Sequence, residues 1–139
     1  MATQSDFTEE EWKALQKGVT GSGMLVSVSD RDFTDSFGEA SALAKYLAEQ
    51  RQKSQSQLVQ ELANVRGSGF GLTASQQKVE EETVEALHVA AQALAQKAPD
   101  EADAYRDFVL GAADHVANAK GGLKPGEEAA IEKLREALG

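Results

Sequence analysis

The sequence contains no cysteine and only two histidines and two prolines among its 139 residues. Without cysteine the chain forms neither disulfides nor thiolate metal sites, and a cysteine nucleophile is excluded. Two histidines are too few for a zinc site built on three histidine ligands. The prolines, Pro99 and Pro125, stand where helices are expected to begin, because proline fits the first helical turn.

Basic residues and long apolar runs are also scarce. Lys and Arg number 14 against 23 Asp and Glu, which gives a formal net charge of −9. Such a chain is poorly suited to nucleic acids, since affinity for their phosphates comes from Lys and Arg. No apolar run approaches the roughly 20 residues that span a bilayer, and no signal peptide is recognisable. We therefore expect a cytoplasmic protein with no nucleic-acid partner and no transmembrane segment.

The residues that are abundant favour helices. Ala, Glu, Gln, Leu and Lys dominate, and apolar residues recur at helical spacing in six segments joined mostly by short connections. This pattern predicts an all-α fold, a compact bundle of about six helices. We expect residues 1–6 to form a disordered tail and residues 7–139 a single helical domain. The predicted helices begin near Thr8, Thr34, Ser54, Thr73 or Ser75, Pro99 and Pro125.

The start of the first helix carries a specific signature. Thr8 followed by Glu11 fits a capping box, in which each side chain accepts a hydrogen bond from the other residue's backbone. Phe7 and Trp12 are placed to pack against each other as a hydrophobic staple. The sequence thus predicts that the helix begins at Thr8.

Three glycines then follow inside the same helix, at positions 18, 21 and 23. Each weakens a helix by about 1 kcal/mol relative to alanine. One interpretation is a hinge near residue 21, and the other is close approach of a neighbouring helix. We favour close packing, because the apolar periodicity continues through the glycines.

An acidic segment precedes the second helix and contains the candidate metal ligands Asp30, Asp32, Asp35 and Glu39. Carboxylate oxygens suit Ca²⁺ or Mg²⁺. The segment is not an EF-hand, because Asp35 stands where the loop needs glycine and Ser41 where it needs glutamate. The simpler interpretation is that these acids cap the helix and complement its dipole.

The fourth helix contains Glu85 and His88, at the i, i+3 spacing by which helical bundles hold di-iron centres. Such centres repeat the motif on a second helix. The fifth helix offers His115, but Ala112 occupies the position of the required glutamate. We interpret the motif as a solvated helix face, with a metalloenzyme as the alternative.

Aromatic residues at helical spacing raise a further alternative, a small-molecule pocket between helices. Such residues more often form plain core, and we favour that interpretation. The residues concerned are Trp12, Phe33, Phe37, Phe70, Tyr105 and Phe108.

The C-terminal part of the chain has a distinctive order of features. Small residues at 116–119 reach Lys-Gly-Gly at 120–122, and a short linker leads to Glu127 and Glu128 before apolar residues at helical spacing. This resembles the closing helix pair of the tellurite-resistance TerB-like family. Lys120 stands where that family has the aspartate of an Asp-Gly turn. The first half echoes the pattern, since residues 26–30 lead through the acidic segment to Glu39 and the apolar residues that follow.

The resemblance implies two related helix pairs and a cytoplasmic bacterial protein linked to stress or tellurite resistance, without an established catalytic activity. Metal binding and protein- or membrane-associated complexes are suspected in that family. Our leading hypothesis is a non-enzymatic, acidic module that binds a protein partner, with no catalytic residues. The alternatives are a divalent-cation sensor using the acidic segment, a metalloenzyme or a small-ligand-binding bundle. A homo-oligomer also stays open.

Overall fold

The computed structural model describes residues 4–29, 36–63, 76–118 and 125–138. Within these ranges six α-helices and two short 3₁₀ helices occur and no strand, which confirms the predicted compact all-α bundle of about six helices. The 3₁₀ helices span Gln4–Asp6 and Pro99–Glu101. The α-helices are α1 (Glu9–Ser29), α2 (Ser36–Lys53), α3 (Gln57–Leu62), α4 (Gln76–Lys97), α5 (Ala102–Asn118) and α6 (Pro125–Leu138).

The first helix, α1, lies at the centre of the bundle and contacts α2, α4, α5 and α6. Its buried residues Leu15, Val19, Ser22 and Val26 recur every three or four positions, so they form one stripe along the helix. The helix α6 packs against α1, α4 and α5, while α2 packs against α5 and α3. A single hydrophobic core follows from this arrangement.

The start of α1 is held as the sequence predicts. The Thr8 backbone N–H donates to Glu11 Oε1 at 2.9 Å, and the Glu11 backbone N–H donates to Thr8 Oγ1 at 3.1 Å. The rings of Phe7 and Trp12 lie 6.1 Å apart, centroid to centroid. The capping box and the staple are both confirmed.

The glycines of α1 are sites of close helix packing, and the helix runs unbroken through them. A Cβ at position 18 would lie 2.8 Å from Leu87 Cδ2 and would also collide with the Tyr105 hydroxyl. At position 21 it would collide with Thr83 Oγ1, and at position 23 it would lie 2.9 Å from Leu43 Cδ2. The preference for close packing over a hinge is confirmed.

Two helix starts differ from the predicted ones. The α3 helix begins at Gln57 and not at Ser54, because Ser56 is the residue whose hydroxyl accepts a hydrogen bond from the Val59 N–H, at 3.2 Å. Pro99 opens a 3₁₀ turn, and α5 begins three residues later at Ala102. The predicted starts at Thr34, Thr73 and Ser75 lie outside the described residues.

A hydrogen bond connects the beginning of the described chain to α3. The Gln4 backbone N–H donates to Glu61 Oε2 at 3.1 Å, and Gln4–Asp6 form the first 3₁₀ helix. Residues 1–3 lie outside the described residues, and the division into a tail and one domain stays a prediction. Among the described residues, no helix combines the length and the apolar composition needed to cross a bilayer.

Candidate partner-binding site

A groove lies on the surface where α5 and α6 run beside each other. Its volume is about 410 Å³. The α6 residues along it are spaced i, i+3, i+4 and i+7, which places them on one helix face. We call this feature the α5–α6 groove, and it is lined by Leu110, Gly111 and Asp114 of α5 and by Glu128, Ile131, Glu132 and Arg135 of α6.

The groove lining contains two large apolar side chains, Leu110 and Ile131, which we call its floor. Ile131 is 8% exposed and belongs to the core cluster, and the partly buried Leu110 packs against that cluster. Contacts with the core therefore position both side chains.

The rim of the groove is acidic. Asp114, Glu128 and Glu132 are exposed, and one cation, Arg135, accompanies them with its Nη1 3.5 Å from Glu132 Oε2. Within the described part of the chain, no cation pairs with the carboxylates of Asp114 or Glu128. Among the described residues, these two negative charges of the rim are therefore uncompensated, and they line the same groove as the apolar floor.

Tyr46 of α2 packs against α5, one of the two helices that line the groove. The Tyr46 hydroxyl donates to the Phe108 carbonyl at 3.2 Å, and its ring stacks on Phe108 with centroids 5.9 Å apart. A Cβ at position 111 would lie 2.8 Å from Tyr46 Cζ, so the glycine permits this approach. Burial, with a smaller effect from the charge of Asp107, raises the pKa of Tyr46 to about 12, which keeps the phenol neutral.

The ring of His115 also contacts the ring of Tyr46. The two ring centroids are 4.4 Å apart, and His115 Nδ1 lies 2.9 Å from the Gly111 carbonyl oxygen. This contact with the Gly111 carbonyl orients the exposed His115 ring on α5. Its neighbour Asp114 projects to the groove.

The candidate metal ligands Asp30, Asp32 and Asp35 lie outside the described residues. Glu39 lies in the first turns of α2, and its side chain is outside the described set as well. In the ranges that the structure describes, no three Asp, Glu or His side chains come together in a way that could hold a metal ion. The Ca²⁺ or Mg²⁺ site stays a prediction.

Glu85 and His88 are both exposed on α4. Their exposure is what a solvated helix face requires, and it matches the interpretation that we favoured for this motif. Neither residue belongs to a described group of three or more metal-ligating side chains.

The aromatic residues whose side chains are described belong to the core. Tyr105 is fully buried, and its hydroxyl donates to the Leu15 carbonyl at 2.8 Å. Trp12 and Phe108 are also buried. The core interpretation is confirmed for these three, while Phe33, Phe37 and Phe70 fall outside the side chains that the structure describes.

The sequence pattern did not predict the α5–α6 groove. It placed Glu128 at the opening of the last helix, but no motif connected this residue with Asp114 of α5. The available signal was the pattern Glu128–Ile131–Glu132, in which two acids flank one apolar residue on a single helix face. Which helix would lie opposite that face could not be read from the pattern.

The comparisons with known proteins add no family to this geometry. No family model, no curated protein and no solved structure matches the chain.

Proposed function

We propose that this chain is a non-enzymatic, acidic helical protein that binds a protein partner through the α5–α6 groove. The observation that carries the proposal is the combination of the apolar floor with two rim carboxylates that have no cation partner in the described part of the chain. Apolar surface with a charged border is the usual composition of a protein-binding patch. A site of this kind recognises a surface and needs no catalytic group.

The overall charge supports the same function. A formal net charge of −9 produces a negative potential that attracts cationic partners and raises their association rate. Other acidic residues are used within the bundle itself: Glu11 pairs with Lys97, Glu80 with Lys133 and Glu82 with Lys17. Asp114 and Glu128 differ from them because no described cation neutralises either one.

Affinity capture from an extract of the source cell tests this function. The wild type is compared with the charge-reversal variant Asp114→Lys/Glu128→Lys and with the control Glu81→Lys/Glu85→Lys, which reverses two exposed carboxylates on α4. We expect the wild type and the α4 control to enrich the same proteins, and the groove variant to lose them. Retention of every partner by the groove variant would contradict the proposal.

The TerB-like assignment, a role in stress or tellurite resistance and a cytoplasmic location belong to the same proposal. They rest on the resemblance of the segments around 26–47 and 116–138, and the six-helix bundle is compatible with them. Tellurite-resistance or export genes beside the gene of this protein would support the assignment. Fractionation of the source cell, with the protein followed by immunoblot, tests the location.

The cation-sensor alternative has its own experiment. Because acids at a helix start suffice for capping, we expect millimolar Ca²⁺ or Mg²⁺ to cause no saturable chemical-shift change in the backbone amides of residues 30–39. Saturable shifts that disappear in an Asp30→Asn/Asp32→Asn variant would replace the capping interpretation with a cation site.

A further inference from the structure

We infer that the occupant of the α5–α6 groove is a basic amphipathic helix of the partner protein. One of its apolar side chains would rest on Leu110 and Ile131, and its flanking Lys or Arg side chains would pair with Asp114 and Glu128. This inference rests on the proposed function, because it names the chemistry of the partner at the same groove.

The shape of the groove suits a helix. Residues of α5 and α6 line the groove, and its α6 residues extend from Glu128 to Arg135, about 10 Å or two helical turns. Helices that bind in grooves present apolar anchors on one face, spaced by three or four residues. A volume of about 410 Å³ accommodates such anchors.

The placement of charge selects a basic partner. Asp114 belongs to α5 and Glu128 to α6, so the two carboxylates that lack a cation partner among the described residues come from both helices that line the groove. An apolar anchor bordered by basic residues matches this combination. An acidic segment would face uncompensated repulsion, and so would a second copy of this chain, whose formal net charge is also −9.

The two kinds of contact contribute differently. Burial of an apolar anchor on Leu110 and Ile131 supplies affinity. The exposed carboxylates steer the approach and fix the orientation of the helix, and salt screens their effect. Binding should therefore need both the apolar and the basic residues of the ligand, and it should weaken as salt is added.

The probe is a synthetic peptide of about 15 residues, long enough to form helix, with leucines at i and i+4 bordered by lysines. A second peptide carries alanine in place of each leucine and keeps every charge. Both are titrated into the isotope-labelled full chain and followed by backbone amide chemical shifts. We expect the leucine peptide to shift the amides of residues 110–114 and 128–135, and the alanine peptide to bind at least about tenfold more weakly.

The variant Asp114→Asn/Glu128→Gln removes both carboxylate charges and leaves the Glu132–Arg135 pair intact. We expect it to bind the leucine peptide about tenfold more weakly than the wild type at low salt. The matched control Glu81→Gln/Glu85→Gln removes two exposed charges from α4 and should change affinity less than about twofold.

The outcomes separate this inference from the proposed function. Equal affinity for the two peptides, or shifts spread evenly over the acidic surface, would overturn the inference. So would a wild type that forms a dimer in sedimentation experiments, if the Asp114→Asn/Glu128→Gln variant is a monomer, since a second copy would then be the occupant.

If the protein captures partners through the groove but binds neither peptide, the basic-helix inference fails and the proposed function stands. If the leucine peptide binds in the groove but no partner is captured, the proposed function fails.

Discussion

At the scale of single residues, Gly21 sets how closely α1 and α4 approach each other. Alanine is preferred over glycine inside helices by about 1 kcal/mol. At this position, however, a Cβ would collide with Thr83 Oγ1. We expect Gly21→Ala to lower the free energy of unfolding by about 1–3 kcal/mol, because overpacking outweighs the gain in helix propensity. Urea unfolding followed by circular dichroism measures the change.

The same substitution in a Thr83→Ala protein provides the control for this contact. In a Thr83→Ala protein the hydroxyl and methyl groups that meet the new Cβ are absent, so Gly21→Ala should cost much less there. If the substitution costs the same free energy in both backgrounds, the Gly21–Thr83 contact does not limit the approach of the two helices.

Thr83 itself carries a polar group at an apolar interface. The residue is fully buried, and its hydroxyl has no hydrogen-bond partner among the described residues. Valine has nearly the same shape and no hydroxyl to desolvate. We therefore expect Thr83→Val to raise the free energy of unfolding by about 1 kcal/mol. Thr83→Ser, which keeps the hydroxyl and loses the methyl group, should lower it. A less stable valine variant would contradict this account of Thr83.

At the scale of elements, the start of α1 links the helix cap to the pH dependence of stability. A hydrogen bond from Lys97 lowers the pKa of Glu11 below its usual 4.5, and the Thr8 backbone N–H lowers it further. A depressed carboxyl pKa stabilises the fold above the unfolded value of 4.5, and this contribution is lost as the pH falls through the lower folded value.

The variant Glu11→Gln isolates that contribution, because glutamine still accepts a hydrogen bond from Thr8 and loses only the charge. We expect the wild type to be more stable than the variant at neutral pH, and the difference to shrink as the pH falls from about 6 to about 3. Urea unfolding across this range measures it. A difference that does not change with pH would show that the ion pair with Lys97 contributes nothing.

Elements were predictable to the extent that their signals are local. The capping box at Thr8 and Glu11 fixes the start of α1 through contacts three residues apart, so the sequence predicted it correctly. The start of α3 was wrong because Ser54 and Ser56 are both suitable caps. The choice between them involves a distant residue, since the Ser56 hydroxyl also donates to Glu101 Oε2 at 2.5 Å.

At the scale of the whole molecule, the candidate site depends on which helices become neighbours. Periodicity predicted apolar residues at helical spacing in the last helix, but it did not show that α5 lies beside α6 or that Asp114 and Glu128 line the same groove. Helix pairing depends on the packing of all six helices, and no short motif encodes it. The groove therefore emerged only from the three-dimensional arrangement.

The acidic residues behind the net charge of −9 do not all have the same role in the molecule. Several carboxylates serve the fold, as Glu11 does at the start of α1 and Glu82 does toward Lys17 of α1. Others remain free of described cations, and Asp114 and Glu128 are placed where an approaching basic helix would meet them. We infer that Asp114 and Glu128 serve partner recognition, whereas Glu11 and Glu82 stabilise the fold.

Site-specific photo-cross-linking in an extract of the source cell tests whether a partner protein binds in the α5–α6 groove. A photo-reactive leucine analogue is placed at Leu110 in the groove or, for comparison, at Val89, which is 37% exposed on α4. We expect a cross-linked partner at position 110 that is absent at position 89 and lost when Asp114→Asn/Glu128→Gln is added. Equal cross-linking at both positions, or none at position 110, would contradict it.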